Sequence, residues 1–147
     1  MRRVLLVVGL VVVGYGLRLE MQSPAPQPVR TPAAAGASAI ERGRAVYAQY
    51  GCATCHGTDG KGGFPNPNSE TDGKMPGLTF VAEGYTRPEL RKKILDGLAT
   101  IGKKDQKGPR PPFRMPGWAG QMTDVEVADL VEYLWSLYPK SETPKWR

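Results

Sequence analysis

The chain has 147 residues, a formal net charge of +6 and 40% hydrophobic residues, which suits one small domain with extensions. Fourteen prolines and 18 glycines limit regular structure and imply long irregular connections around a small core. Two cysteines and a single histidine exclude a four-ligand structural zinc site, and no recognition motif accompanies the basic surplus, which argues against nucleic acid.

The chain opens with Met1-Arg2-Arg3, then runs uncharged from Val4 to Leu17, and Arg18 closes the run. A basic start and a short apolar segment describe a secretory signal or a signal anchor. As a helix, fourteen residues reach about 21 Å, short of a hydrocarbon core of roughly 30 Å, but flanking arginines can snorkel and extend that reach. Ser23-Pro24-Ala25 offers small residues at cleavage spacing, yet Pro26 would follow the cut, and Ala33-Ala34-Ala35 lies far downstream. The expectation is therefore an anchor over residues 1–19, with the following domain on the periplasmic side of a membrane. The alternative is a cleaved signal that leaves a soluble periplasmic protein. Residues 20–37 carry Pro24, Pro26, Pro28 and Pro32 with a run of alanines and no apolar periodicity, the composition of a semi-rigid linker.

Helix signals begin at Ser38-Ala39-Ile40-Glu41, a capping box. Ile40, Gly43, Val46 and Tyr47 then share one helical face, and the helix should end near Gly51. Directly after it stands Cys52-Ala53-Thr54-Cys55-His56, the C-x-x-C-H pattern of a c-type haem attachment site. Each thiol can form a thioether to one porphyrin vinyl group, and the adjacent imidazole can then ligate the iron. A redox-active dithiol would want a βαβ context that the chain lacks. A plain Cys52–Cys55 disulfide leaves His56 unexplained. Because His56 is the only histidine, the second axial position falls to a methionine, to another weak ligand such as lysine, or to nothing.

Gly57 to Asn68 is turn chemistry throughout and reads as a surface loop. Its Asp59, Asn66 and Asn68, with Glu70 and Asp72, fit no calcium-loop spacing. Thr86-Arg87-Pro88-Glu89 is a second capping box, with Leu90, Ile94 and Leu95 as the buried face and Gly97 as the stop. A long basic loop, Gly102 to Pro112, separates it from a third box, Thr123-Asp124-Val125-Glu126. That box opens the most strongly patterned helix, with Val127, Leu130, Val131, Leu134 and Leu137 on or near one face and Pro139 at its end. Residues 38–139 thus read as an all-α domain of three main helices, followed by a tail over 140–147.

These residues resemble a class I c-type cytochrome of the bacterial small monohaem, membrane-anchored kind. The resemblance rests on four features in order: Gly43 with Tyr47, the Cys52–His56 motif, Pro76-Gly77-Leu78, and Met115-Pro116-Gly117-Trp118 followed by Leu130 to Leu134. It implies three helices wrapped around one covalent haem c. It also implies that the Pro76 carbonyl and Leu78 pack on the proximal imidazole, and that Met115 is the distal ligand opposite His56. Met75 would then lie on the proximal side, and Met122 would be an apolar packing residue. The loop between His56 and Pro76 is longer than in compact members of the family. A His/Met pair implies reversible one-electron transfer, as a tethered carrier or as a subunit of a respiratory or photosynthetic membrane complex. An open or displaceable sixth position would instead suit a haem enzyme or a gas or redox sensor.

Charge points to a partner. Between Arg87 and Arg114 stand nine basic residues against three acidic ones, a surplus equal to that of the whole chain, while residues 115–147 are net acidic. Such a cluster just before Met115 is expected to steer docking to an acidic surface on a redox protein.

Overall fold

The structure, a computed structural model, describes residues 36–139. The apolar segment 1–19, linker residues 20–35 and the tail 140–147 lie outside the described residues. Among the described residues, no helix is long and apolar enough to cross a membrane.

Three helices of ten or more residues form where the capping boxes stand: α1 (Ala39–Gln49), α4 (Arg87–Asp96) and α5 (Asp124–Ser136). In each the cap is reciprocal. The Ser38 backbone N–H donates to the Glu41 carboxylate at 2.7 Å while the Glu41 N–H donates back to the Ser38 hydroxyl, and Thr86–Glu89 and Thr123–Glu126 repeat the pattern. Two single-turn helices, α2 (Ala53–His56) and α3 (Val81–Gly84), lie between them. The described residues hold no strand, only the isolated bridges Pro65–Lys74 and Ser69–Lys103.

The core forms where α1 crosses α5. Gly43 makes the crossing possible: a Cβ there would overlap the Asp129 carbonyl oxygen and stand 2.7 Å from Tyr133 Cβ. Tyr47 packs on Tyr133 with ring centroids 5.4 Å apart, and Val46, Val127, Leu130 and Leu134 fill the seam. Arg42 closes its edge with two 2.7 Å bonds to the Asp129 carboxylate. On the other side α4 buries Leu90 and Ile94 against the same cluster, while Leu95 and Leu137 are half-buried.

Two readings of the sequence need correction. Ile40 shares the periodicity of the buried face of α1 but is 46% exposed, because the crossing with α5 is centred a turn further on, at Gly43 and Tyr47. The segment after His56 is more than a surface loop. Residues 63–75 fold back on themselves as a hairpin, with Gly63 N–H donating to the Met75 carbonyl (2.9 Å) and Met75 N–H donating to that of Phe64 (2.7 Å). Inside it Asn66 and Ser69 are almost wholly buried. Polar side chains survive there because each finds hydrogen-bond partners, most of them backbone groups.

Candidate functional site

Residues 52, 55 and 56 stand at i, i+3 and i+4 of one helical turn, so they project from one face. The turn is closed by Cys55 and His56 N–H groups donating to the Cys52 carbonyl, at 3.3 and 3.0 Å. Both thiols are free. Burial, the largest influence, pushes the Cys52 thiol up to about 11. A redox dithiol works through a thiolate stabilised near neutral pH, which burial at Cys52 opposes. Among the described residues no cluster of three or more His, Cys, Asp or Glu side chains could hold a bare metal ion.

The imidazole of His56 is anchored. Its Nδ1 lies 2.9 Å from the Pro76 carbonyl, a bond that assigns the proton to Nδ1 and leaves Nε2 as the free lone pair. Pro76 comes this close because of Gly62, which is in the left-handed region at φ +70°. Its N–H donates to the His56 carbonyl at 2.8 Å, and a Cβ on it would stand 2.6 to 2.7 Å from the Met75-Pro76-Gly77 backbone.

Met115 is held in the same manner. Gly97, at φ +67°, ends α4, and a Cβ on it would stand 2.5 to 2.7 Å from the Met115-Pro116-Gly117 backbone. The residue after each of these glycines donates to the methionine carbonyl: Gly63 to Met75 and Leu98 to Met115, both at 2.9 Å. The protein thus seats two Met-Pro-Gly tripeptides identically, one beside His56 and one at the end of α4. Gly62 does not stand out among 18 glycines and Gly97 stands out only as a helix stop, but the repeated Met-Pro-Gly is a signal the sequence carries.

The structure brings Cys52, Leu78 and Met115 against one hydrophobic core, each half-buried, in company with Tyr50, Leu95 and Trp118. Met122 lies within that core, whereas Met75 is buried beside Asn66. A half-buried apolar wall, two free thiols on one turn and an imidazole with one nitrogen uncommitted are the donor set and surroundings that fit a covalent porphyrin.

The sequence matches the cytochrome c family over residues 40–138. The chain belongs to that family. As a member, the cytochrome carries covalently bound haem c, and Cys52 and Cys55 have the spacing of its attachment motif. It is similar to the Cbb3-type cytochrome c oxidase subunit CcoP of Helicobacter pylori strain 52, and to the subunit of that name from Helicobacter pylori at large. Each is 30% identical over 100 residues, which cover 68% of this chain and 28% of the relative. The cytochrome therefore spans well under half the length of the curated relatives it matches. No solved structure matches the chain.

Proposed function

We propose that the cytochrome is a one-electron carrier, tethered or built into a respiratory membrane complex, whose haem is held by Cys52 and Cys55 and ligated by His56 and Met115. The haem, when bound, supplies reversible one-electron chemistry. His56 would offer Nε2 while the Pro76 carbonyl holds its other nitrogen and fixes the ring's orientation. Leu78 would give the ring an apolar neighbour. Met115 would offer a thioether, which favours the ferrous state and raises the potential relative to a nitrogen donor.

The observation that carries this reading is the seat of Met115, where Gly97 and Leu98 hold its backbone and the side chain packs half-buried against the core. A ligand presented from a rigid seat holds its position most of the time, which suits electron transfer better than substrate binding. Similarity to an oxidase subunit supports membership of a respiratory complex. Residues 1–19 would anchor the domain on the periplasmic side, with 20–37 as its tether, 38–139 as the haem domain and 140–147 as a tail.

The test is ligand substitution. Met115→Ala should abolish the weak long-wavelength absorption of methionine-ligated ferric haem, lower the potential and open the reduced protein to carbon monoxide. Met75→Ala and Met122→Ala should keep the band. Loss of the band in Met75→Ala alone would reject Met115. Tight carbon monoxide binding by the unaltered protein would favour the enzyme or sensor reading instead.

A further inference from the structure

The 63–75 hairpin does more than lengthen the route from His56 to Pro76. Asn66 is 2% exposed, and its side-chain amide, besides a 4.0 Å contact with Met75 Sδ, bonds both backbone groups of one residue far along the chain. Its Nδ2 donates to the Phe113 carbonyl at 3.0 Å, and its Oδ1 accepts from the Phe113 N–H at 3.1 Å. The amide of an asparagine donates and accepts side by side in this way without any change of protonation. Phe113 stands two residues before Met115, whose own carbonyl is held by Leu98. The segment is therefore fixed at both ends, by the hairpin at 113 and by the end of α4 at 115.

Further out, the hairpin tip clasps the basic loop. Glu70 N–H donates to the Gly102 carbonyl at 2.8 Å, and Lys104 N–H to that of Asn68 at 2.9 Å. Asn68 in turn bonds the Asp105 and Pro109 backbone. The base of the same hairpin touches His56 through Gly62 and Pro76.

We propose that Asn66 is a positioning residue for the sixth iron ligand, and that the 63–75 hairpin ties the His56 side of the site to the Met115 loop. The proposal rests on the His56/Met115 reading above. Asn66 acts through the Phe113 backbone, and the sulfur it contacts is that of Met75. The tie restricts the excursions of residues 113–115, so that Met115 leaves its position less often than an untethered loop would allow.

The experiment uses the full haem-loaded chain with Asn66→Leu, which keeps the branching and removes both Phe113 bonds, and Asn68→Ala, which removes the side-chain bonds of the outer clasp and leaves its backbone bonds. In Asn66→Leu, hydrogen exchange at the Phe113 amide should quicken at least about tenfold, the loss expected from one or two buried hydrogen bonds, while the Met122 amide is unchanged. Carbon monoxide should bind the reduced variant about tenfold more tightly, and the long-wavelength band should be lost at lower pH. Asn68→Ala should leave carbon monoxide binding and the band as they are. Should Asn66→Leu fail to fold, Asn66→Ala removes both bonds without added bulk and should show the same changes. Unchanged exchange at Phe113, or equal effects in Asn66→Leu and Asn68→Ala, would overturn the proposal. If the unaltered protein itself lacks the band, the Met115 reading falls. Phe113 exchange then decides the hairpin tie alone: quickened exchange in Asn66→Leu upholds it and unchanged exchange rejects it.

Discussion

Four described glycines of this cytochrome, Gly43, Gly62, Gly97 and Gly117, lie against backbone that a methyl group would displace, and the roles of the first three differ. Gly62 and Gly97 need left-handed φ and also face a Met-Pro-Gly tripeptide, so a side chain there meets two penalties. Gly43 is helical and faces only a close approach, that of the Asp129 and Tyr133 segment. A methyl group at Gly43 must push α5 away, because the neighbour is backbone that cannot rotate aside. Gly43→Ala should lower stability by about 3 kcal/mol, the upper end for overpacking. Gly84, with open space around it and no left-handed φ, should tolerate alanine within about 0.5 kcal/mol. Urea unfolding of the two variants measures the contrast, and equal costs would mean that α1 and α5 do not cross where Gly43 stands.

At the scale of elements, each long helix begins with a serine or threonine and a glutamate three residues on. This chemistry is legible because both partners lie within one turn, so no other part of the chain is needed to predict it. The bonds that Ser38 and Thr86 backbone N–H groups donate hold the Glu41 and Glu89 carboxylates below the ordinary carboxylate range. A carboxylate with a depressed folded value contributes stability that is complete above its unfolded value, about 4.3, and is lost as pH falls through the folded one. The melting temperature should therefore change little between pH 7 and 5 on their account and fall below about pH 4. Glutamine keeps the capping geometry without the charge, so Glu41→Gln with Glu89→Gln should flatten that acid limb, as thermal melts across pH would reveal. The 63–75 hairpin was not legible in the same way. Asn66 finds its partner 47 residues on, and a run of Gly, Pro, Asn and Asp reads as turns until that partner is in place.

For the whole molecule, the structure redistributes the basic surplus that the sequence places between Arg87 and Arg114. Arg87 pairs with Glu132 and lies over the Trp135 ring, Arg91 pairs with Asp124, Lys92 with Asp96, and Lys104 with Asp72. Three of those acids come from outside the run, so the α4 arginines serve the contact with α5 and add little to an external field. Lys93, Lys103, Lys107, Arg110 and Arg114 make no ion pair among the described residues, and all but Lys93 lie on the loop that leads to Met115. If the cytochrome meets its redox partner by diffusion, Lys107→Glu with Arg110→Glu should slow bimolecular electron transfer several-fold at low salt, roughly the scale of surface-charge effects on encounter. Arg87→Glu with Arg91→Glu should slow it less while lowering stability more. The difference should vanish as ionic strength rises past roughly 0.1 M, where screening shortens to about 10 Å. Stopped-flow rates with an acidic redox protein provide the measurement. Salt-independent transfer in all forms would favour a subunit permanently docked in its complex.

The sequence by itself determined the attachment motif, the three helix starts and the apolar faces of α4 and α5, since each depends on neighbours within a turn or two. Only the tertiary structure decided that Ile40 stays outside and that Gly62 and Gly97 seat the two Met-Pro-Gly tripeptides. It also decided that Asn66 grips the Phe113 backbone and that four of the nine basic residues of the run are spent on ion pairs. Those outcomes depend on which distant backbone arrives beside a residue. Composition and periodicity are silent about that, because a glycine, an asparagine or a lysine reads alike whether its partner is water or another part of the fold.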